Sequence, residues 1–183
     1  MNQTQSKALP LAIAAVVGAA YAVLTLALAP ISYGTVQFRV SEVLCILPYF
    51  MPVTAWGLFA GCFLANLFTG NAFDIIFGSL ATLLAALCTA AIGRRSHTLF
   101  NDVLACLMPV IFNAVIVGAV ITGAYEGLNI FKNFGVYLSI GASVGFGELV
   151  VLFVLGLPLM HYLPRLKFFR DFALRADPHA RLE

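Results

Sequence analysis

Apolar residues fill this chain in long runs, and proline, glycine and charge collect at the interruptions between them. A helix crossing hydrocarbon needs about 20 mostly apolar residues. On that length the pattern predicts six helices. The first covers about 8–29 and is ended by Pro30. The second is short, about 38–51, carries Pro48 and stops at Pro52. The third, about 54–69, breaks at Gly70 and Asn71; the fourth, about 73–93, is stopped by Gly93-Arg94-Arg95. The fifth covers about 103–124, and the sixth about 135–163, with Pro158 near its end and Pro164 just beyond. The expected fold is an all-α integral membrane protein, a six-helix bundle in which residues 1–183 form a single membrane domain.

Composition strengthens the membrane reading. The chain is 62% apolar and 10% charged, with a mean hydropathy of +0.99. A soluble domain of 183 residues exposes too much surface to be covered by so few charges. The net charge of +2 comes without a basic tract or aromatic array suited to nucleic acid. The first apolar run is long enough to span and lacks a clear cleavage site, so no signal peptide is expected. Lys and Arg set the orientation. With the N-terminus inside, Lys7, Arg94, Arg95, Arg165, Lys167, Arg170, Arg175 and Arg181 all face the cytoplasm, and only Arg39 and Lys132 face outward. Both termini are therefore expected in the cytoplasm, with outer loops at about 30–38, 70–73 and 125–134. The tail 165–183 alternates basic and apolar residues, which suits an interfacial anchor or a partner-docking segment.

Polar residues inside such helices are costly and mark function or interhelical pairing. Arg39 and Glu42, three apart, share a face at the start of the second helix, where they either serve a ligand or neutralise each other. Asn66 and Asp74 flank the turn between the third and fourth helices, with Asp74 also placed to cap the fourth. Asn113 lies near the middle of the fifth helix. Glu148 lies about 13 residues into the sixth, about 20 Å from its outer end. Glu148 either binds a ligand or ion or pairs with a neighbouring helix, Asn113 being the natural partner. The loop Ile31–Phe38 carries Tyr33, Gln37 and Phe38 and is placed to cover a site between the helices. Ala8, Ala12, Ala15, Ala19 and Ala22 share one face of the first helix, a stripe that admits another helix closely, from this chain or a partner. Gly57/Gly61 and Gly141/Gly145 are small pairs suited to packing inside the bundle.

Several functions lack their signature. There is no phosphate-binding G-x-x-x-x-G-K-[ST], so the chain is not expected to hydrolyse ATP itself. No metal or cofactor is expected: there is no H-E-x-x-H, and Cys45, Cys62, Cys88 and Cys106 have no metal-ligand spacing. Gly141-Ala-Ser143-Val-Gly145 matches a nucleophile elbow in letters, but it lies inside an apolar helix without the preceding strand that motif requires.

Phe38-Arg-Val-Ser-Glu-Val-Leu-Cys-Ile-Leu-Pro48 resembles a segment of QueT-type membrane proteins. So do Ala65-Asn-Leu-Phe-Thr-Gly70, the run from Phe73 to Ala86, Phe112-Asn-Ala-Val-Ile-Val-Gly118, Gly145-Phe-Gly-Glu-Leu-Val-Val151 and Leu155-Gly-Leu-Pro158, in order from about residue 10 to 165. That family belongs to the substrate-binding S-components of energy-coupling factor (ECF) importers in prokaryotic plasma membranes. The resemblance implies a six-helix fold whose pocket opens outward beneath the loop between the first two helices. It implies partners: a transmembrane coupling subunit, docked on the small residues of the first helix, and two ATPase subunits. The implied substrate is a queuosine precursor, a 7-deazaguanine, with 7-aminomethyl-7-deazaguanine favoured. For that ligand Glu148 would take the guanine-like N–H edge, Asn113 or Arg39 the ring oxygen, and Asp74 or Glu42 the aminomethyl cation. Asn66, Gln37, Tyr33 and Phe38 complete the candidate site. An S-component for another vitamin or nucleobase-like ligand is the nearest alternative. A proton-coupled carrier working through Glu148 or Asp74 and an intramembrane enzyme are the more distant ones.

Overall fold

The computed structural model describes residues 3–33, 37–95 and 98–177, with side chains from Ala8 onward. Every regular element among these residues is helical. Helix α1 is Gln3–Ala27, followed at Ala29–Ser32 by a single turn that Pro30 opens. Helix α2 is Val40–Phe50, α3 Thr54–Leu67, α4 Asp74–Gly93, α5 Leu99–Tyr125 and α6 Phe134–Arg165. A short amphipathic helix, α7, covers Lys167–Ala176. The predicted runs therefore fall on α1 to α6, with ends displaced by at most five residues.

Four of the helices are long and apolar enough to cross a membrane: α1 over Ala8–Ala27, α4, α5 and α6. The two remaining apolar helices, α2 and α3, are shorter. With 14 residues, α3 rises only about 21 Å, less than a hydrocarbon core of about 30 Å. Helix α2 is wound tightly as a 3-10 helix over Val40–Ile46 before one α-turn at Leu47–Phe50, which Pro48 opens. Three long helices also contain wide π-turns, at Asp74–Gly78 in α4, Asn113–Val117 and Ile121–Tyr125 in α5, and Leu152–Gly156 in α6. Such turns collect at functional sites, and two of these begin on a polar residue, Asp74 and Asn113.

In lipid no hydrophobic force drives helices together, so close contact depends on small residues. A Cβ on Gly57 would collide with the backbone of Ala14, and one on Gly18 or Gly61 with the backbone of Gly57 or Gly18. Helices α1 and α3 are thus nearly backbone to backbone. Gly118 and Gly141 bring α5 and α6 together in the same way, and a Cβ on Gly145 would press on Ala114. Ser143 therefore belongs to a packing seam within a helix, not to a nucleophile turn. At the end of the bundle where α6 finishes, called here the tail end, a core of Ile13, Ile46, Phe50, Leu152 and Met160 is closed by Phe169 and Ala173 of α7. Phe169 packs edge-on against Phe50, with ring centroids 5.5 Å apart. The opposite, loop end carries the α1–α2, α3–α4 and α5–α6 connections.

Because the Gly57 contact is between backbones, no rotamer can relieve it. Gly57→Ala should lower stability in detergent by at least the ~1–3 kcal/mol typical of overpacking. Leu11→Ala, on the outward face of α1, should change it little; thermal unfolding of the two variants beside the parent checks both.

Candidate functional site

Toward the loop end the polar residues converge. The starts of α2 and α4, the end of α3 and the middles of α5 and α6 bring Arg39, Glu42, Asn66, Asp74, Asn113 and Glu148 into the interior, and all six are buried. Arg39, expected at the outward-facing start of the second helix, is only 2% exposed. The expected partnership of Asn113 and Glu148 is formed: Asn113 Nδ2 donates to Glu148 Oε1 at 2.9 Å. It uses half of each side chain. Glu148 Oε2 and Asn113 Oδ1 are buried without any partner.

Arg39 supplies the complementary half. Its guanidinium lies over the Tyr33 ring, 5.2 Å from the centroid, and Asp74, Glu42 and Glu148 all act on it electrostatically. Yet its Nε and Nη2 are buried and unpaired. Asn66 donates to the Asp74 carbonyl at 3.1 Å and leaves its own Oδ1 unpaired, as is the hydroxyl of Ser32. Gly78 makes room here, since a Cβ on it would lie 2.8 Å from Asn66 Nδ2 and 3.0 Å from Asp74 Oδ1. The loop residues Tyr33, Gln37 and Phe38 are half-buried, and Tyr33 OH donates to the Ala65 carbonyl at 3.2 Å.

Glu42 behaves differently. Its two oxygens accept from Tyr21 OH and from Cys45 Sγ, the latter at 2.9 Å. Among the described residues it forms no ion pair with Arg39, so the mutual neutralisation offered by their spacing is not made. Tyr21 belongs to a second layer in which Thr25 Oγ1 meets Ser41 Oγ at 2.6 Å and donates to the Tyr21 carbonyl at 2.8 Å. Tyr21, Thr25, Ser32 and Ser41 were not singled out in the sequence. The signal for two of them was present: Gly18, Tyr21 and Thr25 step by three and four, a polar stripe on α1 beside the alanines. Of those alanines, Ala8, Ala12, Ala15 and Ala19 are exposed, while Ala22 turns into the bundle.

A buried polar atom with no partner costs about 1–3 kcal/mol. Here one guanidinium with two unpaired nitrogens, bearing three N–H donors, shares the interior with carboxyl and amide oxygens, three of which are free and come from α3, α5 and α6. A small polar molecule presenting donors to the oxygens and an acceptor to Arg39 would satisfy them together. A separate opening of about 680 Å³ between α4, α5 and α6, lined by Phe73, Phe77, Val115, Phe134 and Tyr137 among others, is apolar and includes none of these six residues.

Helices long and apolar enough to cross a membrane, around an enclosed and uncompensated set of donors and acceptors, define an all-α membrane protein. The chain belongs to the QueT transporter family, whose sequence profile matches residues 11–165. It is also 37% identical over 81 residues to the "Queuosine precursor transporter QueT" of Lactococcus lactis subsp. cremoris (strain MG1363), a match covering 43% of this chain and 48% of that protein. The chain thus spans about half the length of this curated relative. No solved structure matches the chain. Family membership places the protein among transporters, not enzymes.

If Glu42 is consumed by internal bonds, Tyr21→Phe should destabilise the fold by about 1–3 kcal/mol through an under-bonded buried carboxylate. Cys45→Ala should cost less, since a thiol is a weak donor. Unfolding midpoints in the same detergent, measured without ligand, rank the two; equal values would show that Glu42 does not depend on Tyr21.

Proposed function

We propose that this chain is the S-component of an ECF-type importer in a prokaryotic plasma membrane, and that it binds a queuosine precursor, 7-aminomethyl-7-deazaguanine, from outside. The observation that carries this reading is the set of unpaired buried atoms: Glu148 Oε2, Asn113 Oδ1 and Asn66 Oδ1 on one side, Arg39 Nε and Nη2 on the other. The name of the Lactococcus relative supports the substrate class.

The inventory of the site favours the aminomethyl compound over its 7-cyano analogue. Negative charge dominates: three buried carboxyl groups, Glu42, Asp74 and Glu148, act on a single guanidinium. A guanine-like edge gives two adjacent N–H donors to Glu148, its ring oxygen accepts from Arg39, and an aminomethyl cation adds donors and positive charge beside Asp74. A nitrile would bring only another acceptor.

In this reading the six apolar helices form one bundle in the membrane, with α2 and α3 as its short members. The tail end faces the cytoplasm, because Arg94, Arg95, Arg165, Lys167, Arg170 and Arg175 gather there and are exposed. The loop end, with the site below it, faces outward. The exposed alanines of α1 are the docking face for the transmembrane coupling subunit, and two ATPase subunits complete the importer. With no P-loop motif in its sequence, this chain binds the ligand while the partners supply energy.

Calorimetry of the purified chain should show binding of 7-aminomethyl-7-deazaguanine without ATP or partners, and weaker binding of guanine and of the 7-cyano compound. Glu148→Gln replaces an acceptor by a donor and should weaken binding by about 1.5–3 kcal/mol, roughly ten- to a hundredfold. Parental affinity in that variant would remove Glu148 from the site. No binding of any deazapurine by folded protein would remove the ligand assignment.

A further inference from the structure

We infer that Gly147 is a positioning residue of the binding site: its bare α-carbon is the seat on which residues 37–39 rest, and this seat fixes Arg39 opposite Glu148. The inference rests on the proposed ligand site. Gly147 is buried, and a Cβ built on it would run into the Gln37 carbonyl oxygen, with the carbonyl carbon at 2.8 Å and the Phe38 nitrogen at 3.6 Å. These are backbone atoms, so no side-chain rotation relieves the clash. The conformation of Gly147 does not itself require glycine, because the positive-φ glycines among the described residues are Gly70 and Gly127. What glycine supplies at 147 is room alone.

The contact has leverage because of what lies on either side of it. The next residue of α6 is Glu148, whose Oε2 is free; two residues beyond Gln37 is Arg39, whose Nε and Nη2 are free. A backbone crossing at Gly147 therefore sets the spacing between the donor and the acceptor sides of the site. Helix α6 cannot easily yield to a larger residue. Just above the crossing Gly141 and Gly145 hold it against Ala114 of α5, where added Cβ atoms would lie 2.8 Å from the Ala114 carbonyl oxygen and 3.2 Å from its Cβ. The connecting segment is the softer element: it is fixed at its neck by Phe38 N–H donating to the Ile31 carbonyl at 2.9 Å and by Val40 N–H donating to the Phe38 carbonyl at 3.1 Å. A methyl group at 147 would lift this segment and carry Arg39 away from Glu148, leaving every ligand-facing side chain intact.

Two measurements test this. Hydrogen exchange in the ligand-free parent should find the Phe38 and Val40 amides protected to the level of interior amides of α6, far above the α5–α6 connection at 128–132. In Gly147→Ala those two amides should exchange at least tenfold faster, the affinity for 7-aminomethyl-7-deazaguanine should fall at least tenfold, and most of the loss should appear as faster dissociation. Gly123→Ala, where a Cβ meets nothing within 4 Å, should change neither quantity. Loop-like exchange of Phe38 and Val40 in the parent overturns the seat without reference to any variant, and so does parental affinity in Gly147→Ala. If the parent fails to bind this probe, the functional proposal falls while the exchange comparison still decides whether Gly147 seats the segment.

Discussion

A carboxylate halfway along an apolar helix is the constraint around which the loop-end half of this protein is arranged. Glu148 cannot turn to water, and one hydrogen bond from Asn113 satisfies only one of its oxygens. The remaining oxygen, the other face of the Asn113 amide and the unpaired nitrogens of Arg39 form an incomplete polar set at the centre of the bundle. Elsewhere the protein completes its polar groups with care. Glu42 has two donors, the Thr25 and Ser41 hydroxyls meet each other, and at the tail end Tyr49 donates to Asp102 at 2.6 Å with His161 Nε2 3.4 Å from the same carboxylate. Among the described residues the unpaired buried side-chain atoms are those of Ser32, Arg39, Asn66, Asn113 and Glu148, and four of these five residues belong to the proposed site.

The helices that hold these groups are brought together by absence of side chains. Gly18, Gly57 and Gly61 let α1 and α3 touch, and Gly118, Gly141 and Gly145 do the same for α5 and α6. Backbones in direct contact leave little freedom to adjust, so the polar atoms they carry keep fixed spacings, as any preorganised site requires. The wide turns at Asp74 and Asn113 serve the same end. By adding a residue to the turn they rotate a polar side chain inward without breaking the helix.

Much of this was legible in the chain. Prolines, glycines and the arginine pair marked the ends of the apolar runs, and the polar residues inside them proved to be the buried ones, because a charge in an apolar run has nowhere else to go. The α1–α3 seam was half legible: Gly57 and Gly61 stood out as a pair, while Gly18, alone in an alanine-rich helix, did not. Partnership was the hidden part. Nothing in the spacing of Arg39 and Glu42 reveals that Glu42 turns to Tyr21, which is 21 residues away in sequence and on another helix. Helix length was more legible: the second run was read as short from Pro48 and Pro52, and the third was broken at Gly70. Hydropathy reports that a run is apolar, but α2 and α3 end where prolines and the Gly70 turn stop them, short of a full crossing.

Helix α1 shows how one amphiphile of small residues serves two surroundings. Its Gly18, Tyr21 and Thr25 look into the bundle, the glycine for contact with α3 and the hydroxyls for Glu42 and Ser41. Its Ala8, Ala12, Ala15 and Ala19 look out and meet nothing in this chain that would need such smoothness. Lipid chains pack as well against leucine as against alanine, so lipid alone gives no reason for the outer stripe. The face that leaves α1 bare and the face that reaches Glu42 are neighbouring stripes on one rod. In the proposed importer, a coupling subunit docked on the outer alanines would hold an element that is itself bonded, through Tyr21, to Glu42.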